Sequence, residues 1–139
     1  MLRLLAVVCI CAAPSACDRS GSEVATRAFV AAGVLAIDLP PATVASQRDG
    51  ASAFTLDPGV RSPREIEVVR LTPGSAPSDL RWSESEGGSG GTEYELRGAV
   101  RRCGAVFAVM CGAQTEIGRP DMDWCTEAVA SIRCRGQAR

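Results

Sequence analysis

The chain has 139 residues, of which 15 are basic and 16 are acidic, and it contains no histidine. This length suits one domain with a single hydrophobic core. The balanced charge provides neither the basic block that binds nucleic acid nor an acidic tail. Without histidine the chain can form no Ser-His-Asp or Cys-His nucleophilic site and no histidine-ligated metal site. We therefore expect a protein that is not an enzyme and that needs no metal or cofactor.

The N-terminus has the pattern of a secretory signal. One positive charge within residues 1–3 is followed by an apolar run over residues 4–13. This run is too short for a membrane-spanning helix, which needs about 20 apolar residues. A charged start, an apolar stretch of about 7–15 residues and small residues before the cut site are typical of an export signal. We expect residues 1–16 to be removed as this signal.

The residues around the cut site indicate a lipid anchor. Ser15, Ala16 and Cys17 resemble the end of a lipobox, in which the cysteine receives a diacylglyceryl group before cleavage. Pro14 departs from this motif, because an aliphatic residue is usual there. The alternative is cleavage by a general signal peptidase after Ala16 or Ala13, which releases a soluble protein. We favour lipidation of Cys17.

This interpretation divides the chain into three parts. Residues 1–16 are the signal, residues 17–28 are the lipid anchor and a polar tether, and residues 29–139 are a single disulfide-stapled domain. The mature protein then faces the periplasm of a bacterial cell envelope. Fatty acyl chains such as palmitate hold it to the inner or the outer membrane.

Four cysteines remain in the C-terminal part of the mature chain. An even number of cysteines in an exported protein predicts disulfides, because the compartment is oxidising. A zinc site is the alternative, but spacings of 7, 13 and 8 intervening residues lack the close cysteine pairs of structural zinc sites. The four are Cys103, Cys111, Cys125 and Cys134.

The order of the predicted elements favours one of the three possible pairings. A strand that ends at Cys111 and a helix that runs back over it would bring the cysteines together in nested order. Cys103 and Cys111 are disfavoured as a pair, because eight extended steps span roughly 26 Å and bridged Cα atoms lie about 4.4–6.8 Å apart. We therefore expect the nested disulfides Cys111–Cys125 and Cys103–Cys134.

Most of the domain has the pattern of short antiparallel strands. The clearest hairpin joins an alternating strand over residues 92–100 to a strand over 105–111 that is apolar on both faces, through a turn at 101–104. The other predicted strands are ended by proline, glycine or turn sequences. They cover residues 34–39, 43–47, 52–56, 65–71 and 80–82.

The last predicted element is a helix over residues 121–133. Trp124, Ala128 and Ile132 recur every four residues, so we expect this stripe to face the sheet. Basic residues and Gly136 suit the C-terminal end of such a helix. We therefore predict an α+β fold, with an antiparallel sheet of six or seven strands and one C-terminal helix packed on it.

A glycine-rich segment over residues 87–91 lies between two pairs of glutamates. It is not a phosphate-binding loop, because such a loop needs a following lysine and helix. The glutamates are explained most simply as solvated strand faces. The functional alternative is an acidic rim that docks a basic protein partner through this loop, and a glycosidase-type carboxylate pair is a third interpretation. The candidate partner-binding residues are Trp82, Glu84, Glu86, Gly88, Gly90 and Glu93.

Trp82 is the candidate anchor of this surface. Tryptophan is enriched among the residues that contribute most to protein–protein binding. The alternative is that Trp82 packs in the core of the domain.

The features of one segment, residues 87–133, together resemble those of a known protein family. It has the glycine-rich loop, Gly91-Thr92-Glu93-Tyr94-Glu95-Leu96, an apolar strand ending near Cys111-Gly112-Ala113-Gln114, and a helix from Trp124-Cys125 to Ala130-Ser131-Ile132-Arg133. With an apolar strand ending at Leu39-Pro40, it resembles the small periplasmic lipoproteins of the type VI secretion immunity kind. Those proteins neutralise a peptidoglycan-degrading effector delivered by a rival or sister cell. The resemblance implies an antiparallel sheet with a flanking helix and a protein partner, and it transfers no inhibitory residue.

Two functions remain open at this point. The resemblance implies an envelope-anchored immunity or inhibitor lipoprotein that neutralises a cell-wall-targeting effector. The alternative is a structural or accessory envelope lipoprotein that supports a membrane complex. A toxin gene immediately upstream would favour the first.

The lipid anchor is testable with one substitution. Cys17→Ser removes the acceptor thiol, so we expect fatty-acid labelling to disappear and the protein to move from the membrane fraction to the soluble periplasm. Metabolic labelling followed by membrane fractionation measures both effects. Labelling that persisted in the variant would contradict lipidation at this cysteine.

Overall fold

The computed structural model describes residues 25–86 and 91–138. The predicted signal, the lipidation residue Cys17 and the loop glycines Gly88 and Gly90 lie outside the described residues. Within the described ranges, no helix is both long and apolar enough to cross a membrane.

Nine strands and one helix make up the described domain. The large sheet is antiparallel and has six strands in the order β3-β4-β5-β8-β7-β6, and a small sheet has the order β1-β2-β9. The predicted α+β class, with one helix near the C-terminus, is confirmed. The elements are β1 (Arg27–Ala31), β2 (Leu35–Leu39), β3 (Val44–Arg48), β4 (Ala51–Thr55), β5 (Glu65–Arg70), β6 (Ser78–Glu86), β7 (Thr92–Arg102), β8 (Ala105–Thr115), α1 (Asp123–Ser131) and β9 (Arg133–Cys134).

A two-residue turn sets the register of the longest hairpin, β7–β8. Cys103 and Gly104 have φ values of 50° and 73°, and such turns favour positive φ at both positions. Arg102 therefore pairs directly with Ala105, and the turn is shorter than the predicted turn over residues 101–104. Because side chains alternate along both strands, one face of the hairpin carries the apolar residues of the core.

Strand β6 is longer than the sequence predicts. The predicted strand covered residues 80–82, whereas β6 spans Ser78–Glu86. From Trp82 to Glu86 it pairs without interruption with β7, which satisfies backbone groups of both strands. The polar sequence of residues 83–86 has no strand pattern of its own, so the neighbouring strand determines its conformation.

The helix is shorter than predicted. It spans Asp123–Ser131 instead of residues 121–133, and Ile132 has an extended ψ of 122°. Gly136 has a φ of 84° and lies in the turn that follows β9. The expectation that basic residues and Gly136 end the helix is therefore wrong, because the chain has already entered a strand at Arg133.

Polar contacts explain why the chain leaves the helix at this point. The Arg133 guanidinium donates two hydrogen bonds of 3.0 Å to the Asp38 carboxylate on β2. The backbone N–H of Asp38 donates to the Ser131 hydroxyl at 2.9 Å, and Arg102 donates to the Ile132 carbonyl at 2.8 Å. The contacts of Ile132 and Arg133, together with the pairing of β9 with β2, hold the chain after Ser131 in an extended conformation beside the small sheet.

The core lies between one face of the large sheet and the layer formed by the small sheet and α1. Ala128 and Ile132 are buried as the helical stripe predicts, whereas Trp124 is only half buried. β1, which was not predicted, begins at Arg27 within the segment assigned to the tether and pairs with β2. The largest side chains that are almost fully buried are Phe54, Phe107, Leu35, Ile37, Leu39, Ile66 and Ile132.

Both disulfides follow the nested order predicted from the sequence. Cys111–Cys125 joins β8 to α1 with a Cα–Cα distance of 5.9 Å, and both cysteines are fully buried. Cys103–Cys134 joins the β7–β8 turn to β9 with a Cα–Cα distance of 5.7 Å. The second bridge therefore ties the small sheet to the large one.

An ion pair between Arg64 and Asp57 joins the two ends of the β4–β5 connection. Arg64 donates hydrogen bonds of 2.6 and 2.9 Å to the Asp57 carboxylate across the β4–β5 connection, and its guanidinium lies 5.4 Å from the centre of the Trp124 ring. The hydrogen bonds from Arg64 lower the pKa of Asp57 below its ordinary value of 3.8, although burial opposes the shift. The same pairing raises the pKa of Arg64.

The disulfides are testable by removing each pair separately. Replacing Cys111 and Cys125 with alanine, or Cys103 and Cys134 with alanine, should lower the free energy of unfolding by about 2–5 kcal/mol, because the unfolded chain is no longer cross-linked. Chemical denaturation measures the loss. Non-reducing peptide mapping of the wild type should recover both nested pairs, and four reactive thiols would contradict them.

The Asp57–Arg64 pair predicts a pH dependence of stability. Because folding lowers the pKa of Asp57, the stabilisation is fully present above the unfolded pKa of 3.8 and is lost as the pH falls through the lower folded value. Asp57→Asn should therefore lower the melting temperature modestly at pH 7, since the pair is about one-third exposed and partly screened. The difference from wild type should shrink in acid.

The matched control is Asp79→Asn, which removes an exposed carboxylate that has no ion pair among the described residues. This control should follow the wild-type melting curve at each pH. A melting difference for Asp57→Asn that stayed constant down to about pH 2 would mean that side-chain shape matters there instead of charge.

Candidate functional site

Three connections, β4–β5, β6–β7 and β8–α1, lie at the same end of the large sheet, which we call the loop end. Thr92 on β7 pairs with Glu86 on one side and with Thr115 on the other. This register brings together the β6–β7 hairpin and the β8–α1 connection. An ion pair of 3.7 Å between Arg61 and Glu116 joins the β4–β5 connection to them. Among the described residues, the loop end comprises 57–64, 84–86, 91–93 and 116–121.

Three predicted residues, Glu84, Glu86 and Glu93, form an acidic rim around the loop end. Glu84 lies opposite Tyr94, whose side chain is buried, so Glu84 and Glu86 lie on the core-facing side of the sheet. Glu93 precedes Tyr94 on β7 and points to the opposite, open side. All three are exposed. The rim therefore surrounds the hairpin on both sides and does not form a single acidic face.

The charges of the acidic rim are not neutralised locally. Within the part of the chain that the structure describes, Glu84, Glu86 and Glu93 form no ion pair. Glu95 differs, because its carboxylate lies 2.7 Å from the guanidinium of Arg97. The rim therefore presents three negative charges to solvent.

Trp82 lies on β6 beside the acidic rim and is 44% exposed. Its ring meets the Tyr94 ring edge-on at 6.3 Å, and the Arg119 guanidinium lies 4.1 Å from its centre. The interpretation that Trp82 packs in the core is wrong, because the residue lies on edge strand β6 and is excluded from the buried core. The structure thus brings Trp82 together with the acidic rim, as the site prediction requires.

Sequence reasoning missed two residues of the β8–α1 connection. Ile117 is 90% exposed, and Arg119 stacks on Trp82. The signal was present in the sequence, since Ile117 is an isolated aliphatic residue between Glu116 and Gly118. A single apolar residue in a loop is nevertheless common on protein surfaces, so only the structure singles it out.

A groove of about 260 Å³ lies on the open side of the sheet near Glu93. Two other carboxylates in its wall are already paired, Glu65 with Arg48 and Glu95 with Arg97. No group of cysteines, aspartates and glutamates in the described ranges is arranged to hold a metal ion. The residues that line the groove include Arg61, Pro63, Glu65, Glu93, Met110 and Gln114.

Comparison with known proteins identifies the family. The model of the type six secretion immunity 3 domain, Tsi3, matches residues 36–133, which contain the large sheet, the helix and three of the four disulfide cysteines. No curated protein matches the sequence.

A solved structure also shares the fold. A crystal structure from Bacteroides thetaiotaomicron VPI-5482 superposes with a TM-score of 0.51 at 12% sequence identity, over 81% of this chain and 49% of that chain. This chain thus spans about half the length of the solved one, and the likeness concerns the fold alone. Since the family match covers well over half of the chain, the resemblance to immunity proteins is confirmed, and the chain belongs to the type six secretion immunity 3 (Tsi3) domain family.

Proposed function

We propose that this immunity protein is anchored in the cell envelope through Cys17 and neutralises a cell-wall-targeting effector by binding it at the loop end. The observation that carries the proposal is the family match over residues 36–133, which indicates a type VI secretion immunity protein with a protein partner. The anchor, the compartment and the class of effector are the proposed additions.

The compartment is supported by two independent features of the chain. The N-terminal segment has the export pattern and lipobox-like residues before Cys17. The domain also contains two disulfides, and such bonds persist in the bacterial periplasm but are rare in the cytoplasm. An inhibitor must be present where its target acts, and an effector that degrades the cell wall acts in the periplasm.

The mode of action follows from what the loop end offers. It has exposed carboxylates, a half-exposed tryptophan and no cluster of catalytic or metal-binding groups among the described residues. Unpaired surface charges steer a partner of opposite charge and raise the association rate. A large aromatic side chain that becomes buried on contact slows dissociation. We therefore infer inhibition by occupying a basic surface of the effector, with no chemical step.

The acidic rim is testable by removing its three charges together. The variant Glu84→Ala/Glu86→Ala/Glu93→Ala should keep a melting temperature within a few degrees of wild type, because exposed substitutions usually change stability by less than ~0.5 kcal/mol each. Its association with the cognate effector should be markedly slower at low salt. The same variant should fail to protect a cell that receives the effector.

A matched control separates a local effect from a change in net charge. Asp49→Asn/Asp79→Ala/Glu127→Ala removes three exposed negative charges away from the loop end and should associate at close to the wild-type rate. Full protection and full-speed binding by the rim variant would show that the rim is only solvated surface. If the wild-type protein neither binds nor protects, the accessory envelope lipoprotein becomes the better explanation.

A further inference from the structure

Ile117 is the most exposed large apolar side chain in the described part of the chain. Its exposure is 90%, whereas the other exposed large apolar residues range from 41% to 53%. Isolated exposed apolar residues are normal on soluble proteins. Exposure by itself therefore does not show that Ile117 binds a partner. The contacts that hold its loop are the further evidence.

The loop around Ile117 is fastened to the sheet on both sides. The Ile117 backbone N–H donates to the Thr115 hydroxyl at 3.3 Å, and that hydroxyl donates to the Ile117 carbonyl at 3.0 Å. Before the isoleucine, Glu116 pairs with Arg61. After it, Arg119 stacks on Trp82 at 4.1 Å. The isoleucine is thus presented by a supported loop, which lowers the ordering cost of binding.

The neighbours of Ile117 have the composition of a binding surface. Tryptophan and arginine are among the residue types most enriched in binding hot spots. Arg119, two residues after Ile117 along the chain, stacks on Trp82. The acidic rim continues this surface along β6 with Glu84 and Glu86, two exposed carboxylates that form no ion pair among the described residues. An apolar tip beside negative charge is complementary to an apolar pocket with a basic border.

We propose that Ile117 is the apolar anchor through which this protein holds its partner. The partner at this surface is the effector. Ile117 enters an apolar pocket on the effector, and lysine or arginine side chains border that pocket. Trp82 remains a contact residue of the same surface, and its stack with Arg119 also holds the loop that carries Ile117. This inference rests on the proposed function, because it takes the effector as the partner.

The test compares two exposed aliphatic residues on the same sheet framework. The variants are Ile117→Ser and Val44→Ser, the latter on edge strand β3 at the opposite side of the large sheet, where Val44 is 52% exposed. Binding is measured as association and dissociation rates with the purified cognate effector. Ile117→Ser should dissociate about tenfold faster or more, as expected for a hot spot, with little change in association rate because no charge is removed.

Two further results complete the test. Val44→Ser should bind within about twofold of wild type, and Ile117→Val should keep most of the affinity because it retains a branched apolar side chain. All variants should melt within a few degrees of wild type, since the substituted side chains are exposed.

The outcomes separate the two proposals. If the wild-type protein binds the effector but Ile117→Ser dissociates at the wild-type rate, or no faster than Val44→Ser, the role of Ile117 is overturned. The proposed function then stays intact. Wild type that does not bind the effector overturns the proposed function and this inference together.

Discussion

The buried Cys111–Cys125 bridge fixes both ends of the segment that carries the β8–α1 connection. Helix α1 has only nine residues, and isolated helices of this length are marginal in water. Its place on the core therefore depends on packing and on the bond to β8. Because Ile117 and Arg119 lie between the two bridged cysteines, the same bond that docks the helix also limits the conformations of the candidate binding loop.

The opposite end of the domain is closed by a second set of constraints. Cys103–Cys134 joins the β7–β8 turn to β9, and the bidentate pair between Asp38 and Arg133 holds β9 against β2. The side chains of Arg133 and Asp38 are only 17% and 12% exposed, and desolvation of so buried an ion pair offsets much of its attraction, so its contribution to net stability is small. This end of the molecule is thus closed by a disulfide and a buried ion pair, while Glu84, Glu86 and Glu93 at the loop end form no ion pair among the described residues.

The edge position of β6 gives its glutamates two physical consequences. An exposed edge strand can pair with another chain, and charged side chains discourage such pairing. The same charges, left without ion pairs in the described residues, create a field that attracts a basic surface. An immunity protein benefits from both properties, because it must not pair with other chains through its sheet edge and must still meet its protein partner quickly.

Much of this arrangement could be predicted from the sequence, because it depends on local patterns. Alternation over residues 92–100 and the fully apolar run over 105–111 identified the central hairpin, and the even number of cysteines with this element order led to the nested disulfides found in the structure. The glutamates on either side of the glycine-rich segment are likewise evident in the sequence. These features are determined by neighbours along the chain.

Other features were decided only by the tertiary structure. The helix stops at Ser131 because Arg133 finds Asp38, a residue 95 positions away in sequence, and residues 83–86 form a strand because β7 lies beside them. Trp82 stays half exposed because it lies on edge strand β6, and Ile117 stands out because its loop is held by contacts to Arg61 and Trp82. The pairing of β6 with β7 joins neighbouring strands of one hairpin, but the contacts that end the helix and hold the Ile117 loop join segments far apart in the chain, so no local pattern records them.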